Sequence, residues 1–362
     1  MRVAFRTDAS SQIGTGHVMR CLTLADALRE KGNAECQFVC REHEGHLVDH
    51  IRSRGYELHA LPRPSEKPSF ESDLAHASWL GVDWQTDAAQ TRQALGSAAL
   101  DWLIVDHYAL DHRWESVLRS SCRRMMAIDD LADRQHDCDL LLDQNYGSSA
   151  ERYRGLISED CAQCHGPEYA LLKPVYAERR TQMPARDGQV CRVLIYFGGG
   201  ADTADLTRLA VQAFQAPELA HIELDIVVGE AYAHQALLEE LVEQCGNATI
   251  RRQLPDLADL MAEDDLAIGA GGATTWERCC MGLPSIVISV AENQRPVCEA
   301  LSADKLIDYL GHVDQVTYEL IQDRVLSLLK RPDLFRELSE QGMRLVDGSG
   351  ADSLLDEVRA IS

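Results

Sequence analysis

The sequence predicts an α/β protein built from two doubly wound parallel-sheet halves. Three observations carry that expectation. Short runs rich in Val, Ile and Leu alternate with amphipathic stretches of about ten to fifteen residues, the pattern of strands joined by crossover helices. The alternation breaks near the middle of the chain and then resumes. Several strand-like runs end in glycines or acids, where open α/β sheets place their ligands.

In the first half, RVAFR (2–6) reads as a buried strand and HVMRCLTLADALREKG (17–32) as a helix. Val18, Cys21, Leu22, Leu24, Ala25 and Leu28 recur at helical spacing, and Gly32 supplies the stop. Further strands are expected at ECQFVC (35–40), YELHAL (56–61), DWLIVDHY (101–108), RMMAIDD (124–130) and CDLLLD (138–143). From about 145 to 189 the pattern lapses, and Pro167, Pro174 and Pro184 mark a connector. Strands then return at CRVLIYFGGG (191–200), HIELDIVVG (221–229), ATIRRQL (248–254), DLAIG (265–269), SIVISV (285–290) and KLIDYL (305–310), and the tail from Val313 is helical. The domains predicted are 1–150, a connector over 151–189, a second domain over 190–347 and a C-terminal helix over 348–362. Two such Rossmann-like halves facing a cleft make the GT-B architecture, typical of enzymes that handle nucleotide sugars.

Composition narrows the partners. Of 362 residues, 45% are hydrophobic, enough for two ordinary cores. The net charge of −23, from 58 acids against 35 bases, disfavours nucleic acid and anionic membranes. A phosphorylated small molecule remains compatible, because helix N-termini bind anions inside acidic proteins. No apolar run reaches the length of a membrane span and no export signal is evident, so a cytoplasmic, monomeric protein is expected. The 12 cysteines lie mostly within apolar runs, as buried free thiols do. CAQCH (161–165) matches the attachment signature of c-type haem, but neither export nor a second ligand supports it, so it is read as coincidence.

The second half carries two glycine-rich turns. FGGG (197–200) offers Gly198 and Gly199, and GAGGATT (269–275) offers Gly272, Thr274 and Thr275; both place bare backbone between a strand and a helix, where a diphosphate can approach. Glu277 follows in position to accept from a ribose hydroxyl. Neither turn is a Walker A sequence or a full Gly-x-Gly-x-x-Gly. In the first half, RTDASSQIGTGH places Arg6, Asp8, Ser10, Gly16 and His17 at the end of the first strand. The positive end of a helix dipole favours a neutral imidazole at His17, which suits a general base. Asp106, His107 and Tyr108 end a neighbouring strand, and His107 is an alternative base. HEGH (43–46) lacks the spacing of a zinc protease.

With these stretches in view, RTDASSQIGTGHVMRCLTLADAL, DHY (106–108), YALLKPVY (169–176), FGGG and GGATTWERCCMGLPSIVISVAENQ (271–294) resemble the UDP-2,4-diacetamido-2,4,6-trideoxy-β-L-altropyranose hydrolases of pseudaminic acid biosynthesis. The likeness runs from Arg2 to about Leu310. It implies hydrolysis of a UDP-sugar, with UDP and that sugar as the partners, and no metal or other cofactor. His17 matches the family's catalytic histidine and would deprotonate a water that attacks the anomeric carbon with inversion. Lys173 stands where the family commonly has a basic residue, Glu277 matches the nucleotide-side glutamate, Asn293 and Gln294 match a polar pair facing the sugar, and Tyr108 is a sugar contact. Each half is more distantly similar to the GT-B transferase that adds N-acetylglucosamine to the peptidoglycan lipid intermediate. A glycosyltransferase, a nucleotide-sugar 2-epimerase and a nucleotide-sugar sensor are the rival expectations.

Overall fold

The computed structural model describes residues 1–64, 73–97, 99–199, 202–229 and 232–361. The chain divides into unit 1, formed by Met1–Leu171 together with the stretch from Gly350 onward, and unit 2, Leu172–Ser349.

Unit 1 is built from β1 (Arg2–Thr7), α1 (Gly16–Glu30), β2 (Glu35–Arg41), α2 (Val48–Ser53), β3 (Glu57–Leu61), α3 (Trp84–Leu95), β4 (Leu100–Asp106), α4 (His112–Leu118), β5 (Cys122–Ile128), β6 (Leu140–Asp143) and β7 (Ala162–His165). Its strands are all parallel, in the order β3-β2-β1-β4-β5-β6-β7. Both sheet faces are covered, which is why the strands are continuous apolar runs rather than alternating ones. On β4, Trp102 and Ile104 join Phe5, Phe38 and Leu22 on one face, while Leu103 and Val105 pack with Leu80 and Trp114 on the other. Phe5 and Phe38 stack with ring centroids 4.8 Å apart.

Unit 2 contains α5 (Pro174–Arg180), β8 (Arg192–Tyr196), α6 (Leu206–Ala213), β9 (Glu223–Val227), α7 (Gln235–Cys245), β10 (Ala248–Arg251), α8 (Ala258–Glu263), β11 (Leu266–Ala270), α9 (Thr274–Cys280), β12 (Ser285–Ser289), α10 (Arg295–Ala303), β13 (Asp308–His312), α11 (Tyr318–Leu328) and α12 (Pro332–Leu345). Its parallel sheet runs β10-β9-β8-β11-β12-β13. Helix α13 (Gly350–Ile361) then rejoins unit 1, where Leu354, Leu355 and Val358 enter the same core as Val18 and Leu22.

Three features differ from the sequence expectation. The stretch up to Leu171, expected within a connector, belongs to unit 1 because AQCH forms its outermost strand against β6. The C-terminal helix, expected as a separate element, packs on unit 1. The last strand of unit 2 lies at Asp308–His312, beginning inside the KLIDYL run and ending just past it, with Leu306 and Ile307 buried ahead of it. Among the described residues no helix is long and apolar enough to cross a membrane.

Candidate active site

The β1–α1 turn of unit 1 is closed by its own polar atoms. The amide of Gly14 donates to the Ser10 carbonyl at 2.8 Å, and the amide of Ile13 donates to Ser10 Oγ at 2.9 Å. Gly14 takes φ 81°, a left-handed conformation in which a side chain would be strained. The turn delivers Gly16 as an exposed first residue of α1 and His17 as the second, buried to 8% exposure.

Strand register supplies the partner of His17. Pairing of β1 with β4 sets Thr7 beside Asp106, and His17 Nδ1 lies 2.6 Å from Asp106 Oδ1. Arg20, one turn further along α1, grips the same carboxylate through Nε at 2.6 Å and Nη2 at 2.7 Å. Burial opposes ionisation of Asp106, but Arg20 and then His17 hold its carboxyl well below the usual range. An ionised carboxylate only accepts, so His17 Nδ1 carries the proton and donates it to Asp106. In a neutral imidazole held this way the lone pair sits on Nε2, the arrangement a general base requires.

Aromatic rings and a second acid adjoin this pair. Tyr108 meets the His17 ring edge-on at 4.6 Å and donates its hydroxyl to Asp130 Oδ2 at 2.7 Å; Arg20 Nη1 donates to the same oxygen at 2.7 Å. His76 and Trp79 lie against Tyr108, with centroids 5.5 and 5.7 Å away. Asp130 Oδ1 is buried without a hydrogen-bond partner. None of Arg20, His76, Trp79 and Asp130 was expected from the sequence.

Asp8 and His107 have a different place. Asp8 is completely buried, and its carboxylate accepts from Arg6 Nη1 at 2.6 Å, Arg6 Nη2 at 2.9 Å and the Arg41 amide at 2.6 Å. His107 Nδ1 accepts the Ala109 amide at 3.0 Å, and its Nε2 faces Asp8 at 3.3 Å. Burial pushes the His107 imidazole down. Asp8 therefore serves an internal Arg6–Asp87–Arg41 network instead of facing a ligand, and His107 has no nitrogen left to act as a base.

Unit 2 gathers its expected residues at the carboxyl ends of β8, β11 and β12. Gly198 and Gly199 follow β8 after Phe197, while Gly200 lies outside the described residues. Gly272 and Thr274 border the turn between β11 and α9, and Gln294 lies beside Gly272 with its Oε1 accepting the Val290 amide at 2.9 Å. Asn293 is exposed to solvent. Thr275 is buried and its Oγ1 accepts from Arg278 Nη2 at 2.9 Å. Lys173 and Glu277 have separate partners: Lys173 Nζ donates to the Pro255 carbonyl, and Glu277 accepts from the Tyr176 hydroxyl. Burial pushes the Glu277 carboxyl up, against the pull of Tyr176 and Lys173. Among the described residues no group of three or more His, Cys, Asp and Glu is placed to hold a metal ion.

The closing residues of CAQCH are structural. His165 Nδ1 meets Ser148 Oγ at 2.8 Å and its Nε2 meets Gln163 at 2.9 Å, while Cys164 is buried as a free thiol.

Two parallel α/β units of this kind define the GT-B fold. The structure of UGT89C1 from Arabidopsis thaliana complexed with UDP aligns over 99% of each chain, with a TM-score of 0.65 and 14% identity. In sequence, the chain is 28% identical to the spore coat polysaccharide biosynthesis protein SpsG of Bacillus subtilis over 186 residues, 51% of this chain and 54% of that one. It is 30% identical to the UDP-2,4-diacetamido-2,4,6-trideoxy-β-L-altropyranose hydrolase of Campylobacter jejuni over 174 residues, 48% of this chain and 52% of that one. The chain thus spans about half the length of the curated relatives it matches. No protein-family model matches it.

Proposed function

We propose that this protein hydrolyses a UDP-linked 2,4-diacetamido-2,4,6-trideoxyhexose at the anomeric C–O bond with inversion, releasing UDP and the free sugar for pseudaminic acid biosynthesis. The observation that carries the reading is the contact of His17 Nδ1 with a buried, ionised Asp106, which supports Nε2 as the nitrogen that takes the proton. The 30% identity to the Campylobacter jejuni hydrolase supports the choice of substrate.

In this mechanism Nε2 removes a proton from water as the water oxygen attacks the anomeric carbon. The bond from that carbon to the β-phosphate oxygen breaks, and its electron pair leaves with UDP. The imidazolium that forms is stabilised by Asp106, as in other His–carboxylate pairs. UDP is a good leaving group, so no separate acid is needed to protonate it. Tyr108, with Asp130 fixing its hydroxyl, lies beside His17 to contact the sugar. Unit 2 has the nucleotide role: Glu277 for the ribose, the turns at Gly198, Gly199, Gly272 and Thr274 for the diphosphate, and Lys173, Asn293 and Gln294 as further polar contacts.

Incubation with UDP-2,4-diacetamido-2,4,6-trideoxy-β-L-altropyranose in water enriched in oxygen-18 tests this directly. Label in the released sugar and none in UDP is expected. Label in UDP would place the attack at phosphorus and sink the mechanism. Release that requires an added hydroxyl compound would replace hydrolysis by glycosyl transfer, the activity the GT-B fold otherwise suits.

A further inference from the structure

Arg278 carries a positive charge into the interior of unit 2. It sits on α9, one turn behind the β11–α9 turn, at 2% exposure. Among the described residues its guanidinium takes part in no ion pair; Nη2 donates to the Ala270 carbonyl at 2.8 Å and to Thr275 Oγ1 at 2.9 Å. Nε has no partner at all. Nη1 lies so close beneath Gly269 that a Cβ there would come within 2.6 Å of it, so glycine makes the room the guanidinium occupies. The adjacent acid, Glu277, is already engaged by Tyr176. Burial pushes the guanidinium down from its ordinary value, as expected of a charge short of counter-ions. An unpaired buried charge is costly.

The bond to Thr275 has a second consequence. A hydroxyl has one proton to give and lone pairs to receive. With an arginine donating to its oxygen, the Thr275 proton must go to an acceptor, and no hydrogen bond from it is made among the described residues. Thr275 is itself 2% exposed, in the first turn of α9. A buried donor, polarised by a buried cation and lacking an acceptor, points to an anion that completes the chain.

We propose that Arg278 is a positioning residue for the diphosphate: it donates to Thr275 Oγ1, and the Thr275 hydroxyl donates to a phosphate oxygen held at the β11–α9 turn. This rests on the UDP site proposed above. The guanidinium never touches the ligand; it orients and strengthens the donor that does, and its charge is compensated when the anion arrives.

Calorimetry on the intact protein with UDP, inorganic pyrophosphate and uridine tests the relay. Thr275→Val and Arg278→Met are each expected to weaken UDP and pyrophosphate about tenfold or more, the worth of a hydrogen bond to a charged group. Uridine, which has no phosphate, is expected to stay within about twofold. Because the two residues act in series, the double variant is expected to bind UDP no more weakly than the worse single one, and Arg278→Lys to recover part of the loss. Should Arg278→Met fail to fold, Thr275→Val exchanges one hydroxyl for one methyl and carries the test alone. Unchanged UDP affinity in Thr275→Val, or uridine falling in step with UDP, overturns the relay. Wild-type protein that binds neither UDP nor pyrophosphate overturns the nucleotide site itself.

Discussion

His17 and Asp106 are 89 positions apart in the chain and 2.6 Å apart in space. The pair exists because α1 begins immediately after a glycine turn and because β4 lies against β1. Asp106 is the more constrained member, since it also neutralises Arg20. His17→Ala is expected to lower UDP release by about 10²–10⁴-fold, the usual worth of a general base. Asp106→Asn is expected to cost a similar factor, because an amide can present its nitrogen to Nδ1 and reverse the tautomer. UDP affinity, measured by calorimetry, is expected to stay within about twofold of wild type in both. A normal rate of release in Asp106→Asn would remove Asp106 from the mechanism. Turnover retained in His17→Ala would do the same for His17.

At the scale of elements, the carboxyl ends of the strands hold the candidate chemistry while the opposite ends hold a titrating weak point. β11 is preceded by Asp264, whose carboxylate is completely buried with neither oxygen hydrogen-bonded. Arg186 reaches the backbone carbonyl of Asp264 rather than its carboxylate. Burial, then Asp225, push Asp264 up from 3.8 to about 8, while Arg192 and Arg186 pull the other way and Asp265 adds repulsion. Between those two values the unfolded chain has lost this proton and the folded chain keeps it, so the contribution of Asp264 to stability is present at low pH and is lost as pH rises towards 8. Thermal unfolding of Asp264→Asn is expected to show a shallower decline over that window than wild type, with the variant more stable above it. Parallel profiles for the two proteins would show that Asp264 titrates normally.

Much of this element plan was legible in the sequence. Strands buried on both faces leave unbroken apolar runs, and His17 announced itself by following Gly-Thr-Gly at a helix start. The partner of His17 was harder to see, because β1 pairs with β4 across a crossover and nothing local couples residue 17 to 106. Asp8 and His107 looked equally poised at strand ends, and all three are buried; what separates them from Asp106 is their partners, Arg6 and the Arg41 and Ala109 amides rather than His17. Trp79 and His76 come from a stretch with no periodic pattern. The four residues of AQCH were too few to read as a strand, and α13 is amphipathic without any mark of which sheet it covers.

At the scale of the whole molecule, the chain leaves unit 1 at Leu171 and returns to it at Gly350. Leu354, Leu355 and Val358 fill the core beneath α1, and Lys31 Nζ bonds Asp352 at 2.6 Å. Each such apolar side chain contributes about 1.5–3 kcal/mol on burial. Deleting Gly350–Ile361 is therefore expected to destabilise unit 1 by several kcal/mol while unit 2 keeps its transition, and calorimetric unfolding monitored with UDP present would separate the two. Loss of both transitions together would show that the units do not unfold independently. The return of α13 also sets an order of events during synthesis. The seven-stranded sheet emerges from the ribosome first, yet the part of its α1-side core that Leu354, Leu355 and Val358 fill stays open until all of unit 2 has been translated. The half made second can finish folding first, and the half carrying His17 matures only when α13 arrives to seal it.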